Sequence, residues 1–315
     1  MSTTAPTTHA SPAAGAFTAG LALALAGAVL FSAKAILVKL SYRYGVDAVT
    51  LIALRMALAA PFFALALWFA SRGAPPLSRG EHARIFAIGL LGYYAASFLD
   101  FVGLQYVSAA LERLILYLTP TIVLAISAVW LRKPITRLDV LALALSYGGI
   151  ALAFGHDLSF AGSGVALGAA LVFGSAVCYA LYLVLSGELV RRVGAIRLVA
   201  YAMCVAAAAC VAQFLLVNPL SSLAQPAPVY WLSAANAVFS TVIPVFATML
   251  AVARIGAGNA ALAGTVGPVA TILLGYVFLG EAISGWQLAG TALVLAGVFV
   301  LSRKGAAATR RAPAD

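Results

Sequence analysis

SAALERLILYLTPTIVLAISAVWL (Ser108–Leu131), the polar link RKPITR, and LDVLALALSYGGIALAF (Leu138–Phe154) decide how this chain is built, because their plan occurs twice. From Gly256 the chain repeats it as GAGNAALAGTVGPVATILLGYVFL, the link GEAISG, and WQLAGTALVLAGVFVL (Trp286–Leu301). The two copies align without a gap: Pro120 falls on Pro268, Val129 on Val277, Leu131 on Leu279, Ile135 on Ile283 and Gly149 on Gly297. An apolar run with a central proline, a tight link and a second run rich in small residues make an internal duplication.

Composition says what the duplicated unit is. Of 315 residues, 64% are hydrophobic and only 9% charged, with a mean hydropathy of +1.06. A soluble domain of this length needs more charge on its surface, so most side chains face lipid or other helices. The net charge of +10 does not point to nucleic acid, because the basic residues stand in short links between apolar runs, where they orient helices in a bilayer. Cys178, Cys204 and Cys210 lie inside apolar runs, which implies neither a disulfide framework nor a metal site. GAGNAA (Gly256–Ala261) mimics a dinucleotide fingerprint, but no strand precedes it. There is no Walker A lysine loop, HExxH or Gly-x-Ser-x-Gly elbow, and His9, His82 and His156 fall in the tail and links. No cofactor, no metal and no enzymatic activity are therefore expected. The opening MSTTAPTTHASPAAG has no positive n-region, so no cleaved signal is expected.

Each crossing needs roughly 20 apolar residues as helix. Ten runs qualify, near 17–39, 48–70, 84–104, 108–131, 138–155, 163–187, 197–217, 228–252, 257–280 and 285–302. The expected organisation is a disordered tail (1–16), a first five-helix repeat (17–155), a second (163–302) and a basic tail (303–315). Alternate links on one side carry Arg72, Arg79 and Arg84; Arg132, Lys133 and Arg137; Arg191, Arg192 and Arg197; then Arg254 and the tail cations. The opposite links carry Arg43, with Lys39 at a span edge. That asymmetry places both termini in the cytoplasm. Five spans per half make the halves enter with opposite orientation. The expected fold class is thus an all-α integral membrane protein of ten transmembrane helices in two inverted five-helix repeats, an arrangement typical of secondary transporters.

KLSYRYGVDAVTLIALR (Lys39–Arg55), GLQYVSAALERLILYLTPTIVLAISAVWLRKPIT (Gly103–Thr136) and GPVATILLGYVFLGEAISGWQLAGTALVLAGV (Gly267–Val298) resemble the EamA-type ten-helix members of the drug/metabolite transporter superfamily. The resemblance covers nearly everything between the tails and implies metabolite export across the inner membrane. The Gly-Glu pair that closes the repeat's first helix in this family stands here as Gly280-Glu281, but as Arg132-Lys133 in the first half.

Five charged residues lie inside the expected spans: Lys34, Arg55, Asp100, Glu112 and Arg113. Each costs at least ~2.5–3.5 kcal/mol in hydrocarbon, so they face the bundle interior or water. All come from the first half and fall in one layer toward the periplasmic side. One reading is a polar vestibule that binds a charged solute or couples transport to protons; three cations against two carboxylates favour a carboxylate-bearing solute. The other is an ion-pair cluster that fixes helix packing, Asp100 with Arg113 or Lys34 with Glu112. Glu112 also fits a simple complement to a positive helix end capped by Ser108. A second set comprises Tyr93, Ser97, Tyr117, Tyr179, Ser240, Thr241 and Thr265, at mid-membrane depth; such residues line pockets for amphipathic solutes or hydrogen-bond between helices. Pro120 and Pro268 remove a helical hydrogen bond at matching depth and are candidate hinges. The expectation is an alternating-access exporter of a small metabolite, an amino acid or other carboxylate, with a proton or counter-substrate as candidate coupling partner. A membrane enzyme or a sensor is the alternative, and the protein is expected as a monomer or homodimer in the lipid bilayer.

Overall fold

In a bilayer no water satisfies the backbone, so each apolar run must close its own hydrogen bonds as helix. The computed structural model describes residues 12–130, 132, 135–161 and 164–311. Among them the chain forms ten helical segments: α1 (Pro12–Tyr42), α2 (Ala48–Ser71), α3 (Arg79–Gly103), α4 (Ala109–Trp130), α5 (Arg137–Ala161), α6 (Gly164–Val193), α7 (Ala195–Val217), α8 (Ala227–Gly256), α9 (257–279) and α10 (Gly285–Arg311). Seven are long and apolar enough to span a membrane, and Val266–Leu279 and Gly285–Val300 are shorter apolar helices. Most of the expected tail (1–16), the cation Lys133 and residues 312–315 lie outside the described residues.

Helix ends differ from the sequence expectation where caps decide. α3 begins at Arg79 rather than near 84 because Ser78 and Glu81 form a reciprocal capping box, which stabilises a polar first turn that hydropathy alone passes over. His82 therefore lies in a helix, against the Tyr201 hydroxyl at 2.9 Å. α2 starts at Ala48, as expected, where the Asp47 carboxylate accepts from the Thr50 amide at 3.0 Å.

The duplication is written into the backbone. A π turn at Leu90–Ala95 in α3 matches one at Val238–Val242 in α8. The entry to α4 at Ser108 matches the kink at Gly256. α4 breaks at Tyr117 (φ −70°, ψ −6°) and α9 at Thr265 (φ −64°, ψ −11°), three residues before Pro120 and Pro268. Past α9, Gly280 has φ +70°; past α4, Arg132 has φ +52°. Every pair is 148 residues apart. Packing obeys the same symmetry. α1 lies along α8 as α3 lies along α6, α1 meets α9 as α6 meets α4, and α2–α7 and α5–α10 pack on their own counterparts. At the α5–α10 crossing a Cβ on Gly149 would stand 2.6 Å from the Gly290 carbonyl oxygen, and one on Gly290 2.5 Å from that of Gly149. The small-residue helices thus seal the two halves within one chain.

Candidate functional site

Of the candidate residues, the four charges of α1, α3 and α4 converge. Lys34 Nζ bonds the Asp100 carboxylate and stands 2.9 Å from Glu112 Oε1. One ammonium thus ties two carboxylates from two other helices. Residue exposures of 6% for Lys34, 2% for Asp100 and 0% for Glu112 mean that in this conformation the group is closed off rather than lining an open vestibule. Asp100 Oδ1 and Glu112 Oε2 have no hydrogen-bond partner. Ser108 accepts from the Leu111 amide at 3.1 Å and begins α4 one turn before Glu112.

Arg113 does not pair with Asp100. Its Nη2 donates to Ser32 Oγ at 2.7 Å, its guanidinium lies 5.1 Å from the Phe31 ring centre and 5.8 Å from that of Tyr117, and its Nε has no partner. Ser32 Oγ in turn lies 2.7 Å from the Ala28 carbonyl of its own helix and 3.0 Å from the Gly267 carbonyl of α9, its single proton shared between the two. Tyr117 reaches α9 as well, donating to the Gly264 carbonyl. Pro268 explains that acceptor: its missing N–H leaves the carbonyl four residues back without its helical partner, and the break at Thr265 turns it toward α4. At Pro120 the freed Leu116 carbonyl accepts from Thr119 Oγ1 at 2.7 Å. The two broken helices therefore meet through Arg113, Ser32 and Tyr117, beside the Lys34 group.

Arg55 sits apart from that group. It donates to Ser97 Oγ at 3.1 Å, lies 4.6 Å from the Phe101 ring centre, and leaves Nε unpartnered. Among the described residues no carboxylate lies within ion-pair distance of Arg55 or Arg113. Tyr93 joins Tyr179 and Tyr182 of α6 in an aromatic group, with ring centres 6.2 and 4.9 Å away and a Tyr93–Tyr182 hydroxyl contact of 3.3 Å. The duplication puts Tyr179 where the first half has Phe31 and Tyr182 where it has Lys34. One layer is ionic and its counterpart phenolic. Ser240 and Thr241 lie buried in the π turn of α8, where Thr241 donates to Asn236 O at 3.0 Å.

Sequence reasoning missed Phe31, Ser32, Tyr182 and Glu281. The first three had no signal, being single residues in apolar runs. Glu281 carried one, the Gly-Glu pair, and its carboxylate accepts the Ala109 amide at 3.1 Å and meets Lys39 Nζ at 3.0 Å. With Arg43 Nη2 donating to Leu279 O at 2.9 Å, it fastens the end of α1 and the start of α4 to the α9–α10 link.

Comparison with known proteins agrees with this architecture. The EamA-like transporter family matches residues 18–155 and again 166–303, the same 148-residue step. "Uncharacterized transporter YcbK" of Bacillus subtilis is 34% identical over 86% of this chain and 89% of its own length. "Uncharacterized transporter YyaM" of the same organism is 26% identical over 79% and 82%. An "Uncharacterized transporter" of Archaeoglobus fulgidus is 25% identical over 85% and 92%. A solved crystal structure superposes with a TM-score of 0.63 at 19% identity, over 91% of this chain and 98% of that one, which speaks for the fold. The chain is a multi-pass membrane protein and belongs to the EamA-like transporter family.

Proposed function

We propose that this chain is a secondary active exporter of small amino-acid-like or other carboxylate solutes, working by alternating access in the inner membrane with both termini in the cytoplasm. The observation that carries the reading is the buried contact of the Lys34–Asp100–Glu112 group and Arg113 with the broken helices α4 and α9. Buried ions are expensive, and packing alone would be served by pairing every one. Here Arg113 has hydroxyl and ring partners but, among the described residues, no carboxylate, while Asp100 Oδ1 and Glu112 Oε2 keep unused acceptor capacity. A guanidinium receives a carboxylate by a forked pair of hydrogen bonds, and spare carboxylate oxygens receive an ammonium. An amino acid supplies both. The breaks before Pro120 and Pro268 are the hinges on which the two halves would rock, and binding that loosens Tyr117 from Gly264 would free them. The Arg-rich links on one face support the cytoplasmic assignment. Export as the direction is taken from the family resemblance.

The test is ligand stabilisation of the purified protein, followed by uptake into proteoliposomes with and without a pH gradient, using amino acids, nucleosides and sugars. An amino acid should stabilise and be carried, and Arg113→Met should abolish both. A nucleoside or sugar that is carried equally well by Arg113→Met would overturn the substrate class.

A further inference from the structure

Two equivalent seams of the bundle, both built on buried apolar residues, differ in chemistry at six matching positions. Where α3 packs on α6 and α7, Ile85, Ile88, Leu189 and Leu198 form one apolar cluster with Tyr182. Gly92 sits there against the Tyr182 side chain. The duplication carries this seam to the place where α8 packs on α1 and α2. There Ile85 becomes Ser233, Ile88 becomes Asn236, Leu189 becomes Ser41, Leu198 becomes Thr50, Gly92 becomes Ser240 and Tyr182 becomes Lys34. All six are buried, none more than 6% exposed. Ser41 and Thr50 satisfy their hydroxyls locally, on Leu37 O at 2.8 Å and on the Asp47 carboxylate at 2.6 Å. Ser233 Oγ, Asn236 Oδ1 and Ser240 Oγ have no partner.

Packing does not account for Ser233 and Asn236, since isoleucine fills their places in the twin seam, while Ser240 stands where that seam has the bare backbone of Gly92. Each orphaned oxygen has lost its water without gaining a partner, and this recurs three times on one face of α8 at spacings of three and four residues. The line leads from the Arg-poor end toward Lys34. At that end Asn218 Nδ2 donates to exposed Asp47 and to Thr50, each at 3.0 Å. At the same end of the bundle a groove of about 440 Å³ opens between α1 and α8, lined by Leu40, Arg43, Tyr44, Pro228, Trp231 and Leu232. Such a file offers polar partners of the kind a buried water needs, two to four per molecule.

We propose that the α1–α2–α8 seam is the route by which water and protons pass between the Arg-poor face and Lys34. Along it each hydroxyl or water accepts one proton and releases its own to the next, with no net chemical change. The proposal rests on reading the Lys34 group as the transport site. The experiment uses the full-length protein with Cys178, Cys204 and Cys210 replaced by alanine and one new cysteine at a time, exposed in intact cells to a membrane-impermeant trimethylammonium methanethiosulfonate. Ser233→Cys and Ser240→Cys should be modified from outside, and the twin-seam variant Ile85→Cys should not. Failure of both seam cysteines to react, in protein that runs as a single species and reacts fully once denatured, overturns the route. If the cysteine variants do not fold, Asn236→Leu reads the same question: it should lose proton flux into proteoliposomes reported by an entrapped pH dye, and unchanged flux overturns the route. A modified seam in a protein whose Lys34→Met variant still transports sinks the transport-site reading alone. An inert seam with Lys34→Met inactive sinks the route alone.

Discussion

Lys34→Met removes the one cation that Asp100 and Glu112 share and leaves two buried carboxylates facing each other. Both are at most 2% exposed, so solvent screens little of the effect. Breaking a buried pair from one side costs about 3–5 kcal/mol, whereas replacing all members of the group by neutral residues of similar size is close to neutral. For a protein of this size that corresponds to a fall of roughly 5–8 °C in unfolding temperature. The assay is thermal unfolding of purified protein in one detergent, for Lys34→Met, for Asp100→Asn with Glu112→Gln, and for all three changes together. The single variant should fall furthest, and the triple variant should recover most of the loss. A silent Lys34→Met, or a triple variant no more stable than the single one, would show that the three side chains do not form one electrostatic unit. The same proteins separate packing from transport: if the neutral triple variant is folded and still carries solute, the charges serve only to hold helices together.

The Arg132 backbone at φ +52° occupies a conformation that its counterpart Gly280 adopts at +70° without a Cβ. Arg132→Gly should therefore stabilise by about 1 kcal/mol, and a lower unfolding temperature would count against this. Gly149→Ala forces backbones apart at the α5–α10 crossing and should cost about 1–3 kcal/mol. Gly148→Ala, with nothing within 4 Å, should be neutral or mildly stabilising, and equal losses from the two would refute the close approach. Tyr117→Phe orphans the Gly264 carbonyl and should cost about 1–3 kcal/mol; an unchanged unfolding temperature would mean that water or another donor replaces it. Burial pushes the Asp47 carboxyl up, but hydrogen bonds from the Thr50 hydroxyl and amide and from Asn218 outweigh this and hold it below its ordinary 3.8. The group's contribution is therefore present above that ordinary value and lost as pH falls through the lower, folded one. Wild type should be more stable than Asp47→Ala at neutral pH, with the difference vanishing in acid, and a gap that widens on acidification would contradict the assignment.

Ten helices and the duplication were legible because lipid permits few backbone solutions, so apolar length and charge alternation nearly suffice. Pro120 and Pro268 marked where α4 and α9 break, since a missing N–H acts through local geometry. The partners across helices were not legible. Asp100 and Arg113 lie on neighbouring spans with opposite charge, yet Lys34 takes Asp100 and Arg113 turns to Ser32. Rotation of each helix about its axis decides that, and a nearly uniform apolar surface on α1 leaves no periodic stripe from which to read the rotation.

The backbone has kept its symmetry while the side chains have not, and the two facts constrain each other. The π turns at Leu90–Ala95 and Val238–Val242, the pre-proline breaks and the left-handed pair Arg132 and Gly280 recur at the same step, so the two copies interrupt their helices at matching places. Chemistry retained for bending would recur with them. The ionic layer does not: Lys34, Asp100, Glu112 and Arg113 fall on Tyr182, Thr248, Ala260 and Ala261. On the alternating-access mechanism proposed above, a bundle whose halves break at the same places but present an ammonium–carboxylate group on one side and phenols on the other would treat a bound solute differently in its two orientations. For a transporter that difference is what makes two states unequal in affinity, since a ligand shifts a conformational equilibrium only by its differential interaction with the two states. Converting Lys34 to Tyr together with Asp100→Thr, Glu112→Ala and Arg113→Ala would give the ionic layer its twin's residues at these four positions. If the resulting protein folds, it should keep its helices and lose the affinity difference between its two faces, measurable as equal half-saturation from either side of a proteoliposome. Unequal values that persist would place the asymmetry outside this layer.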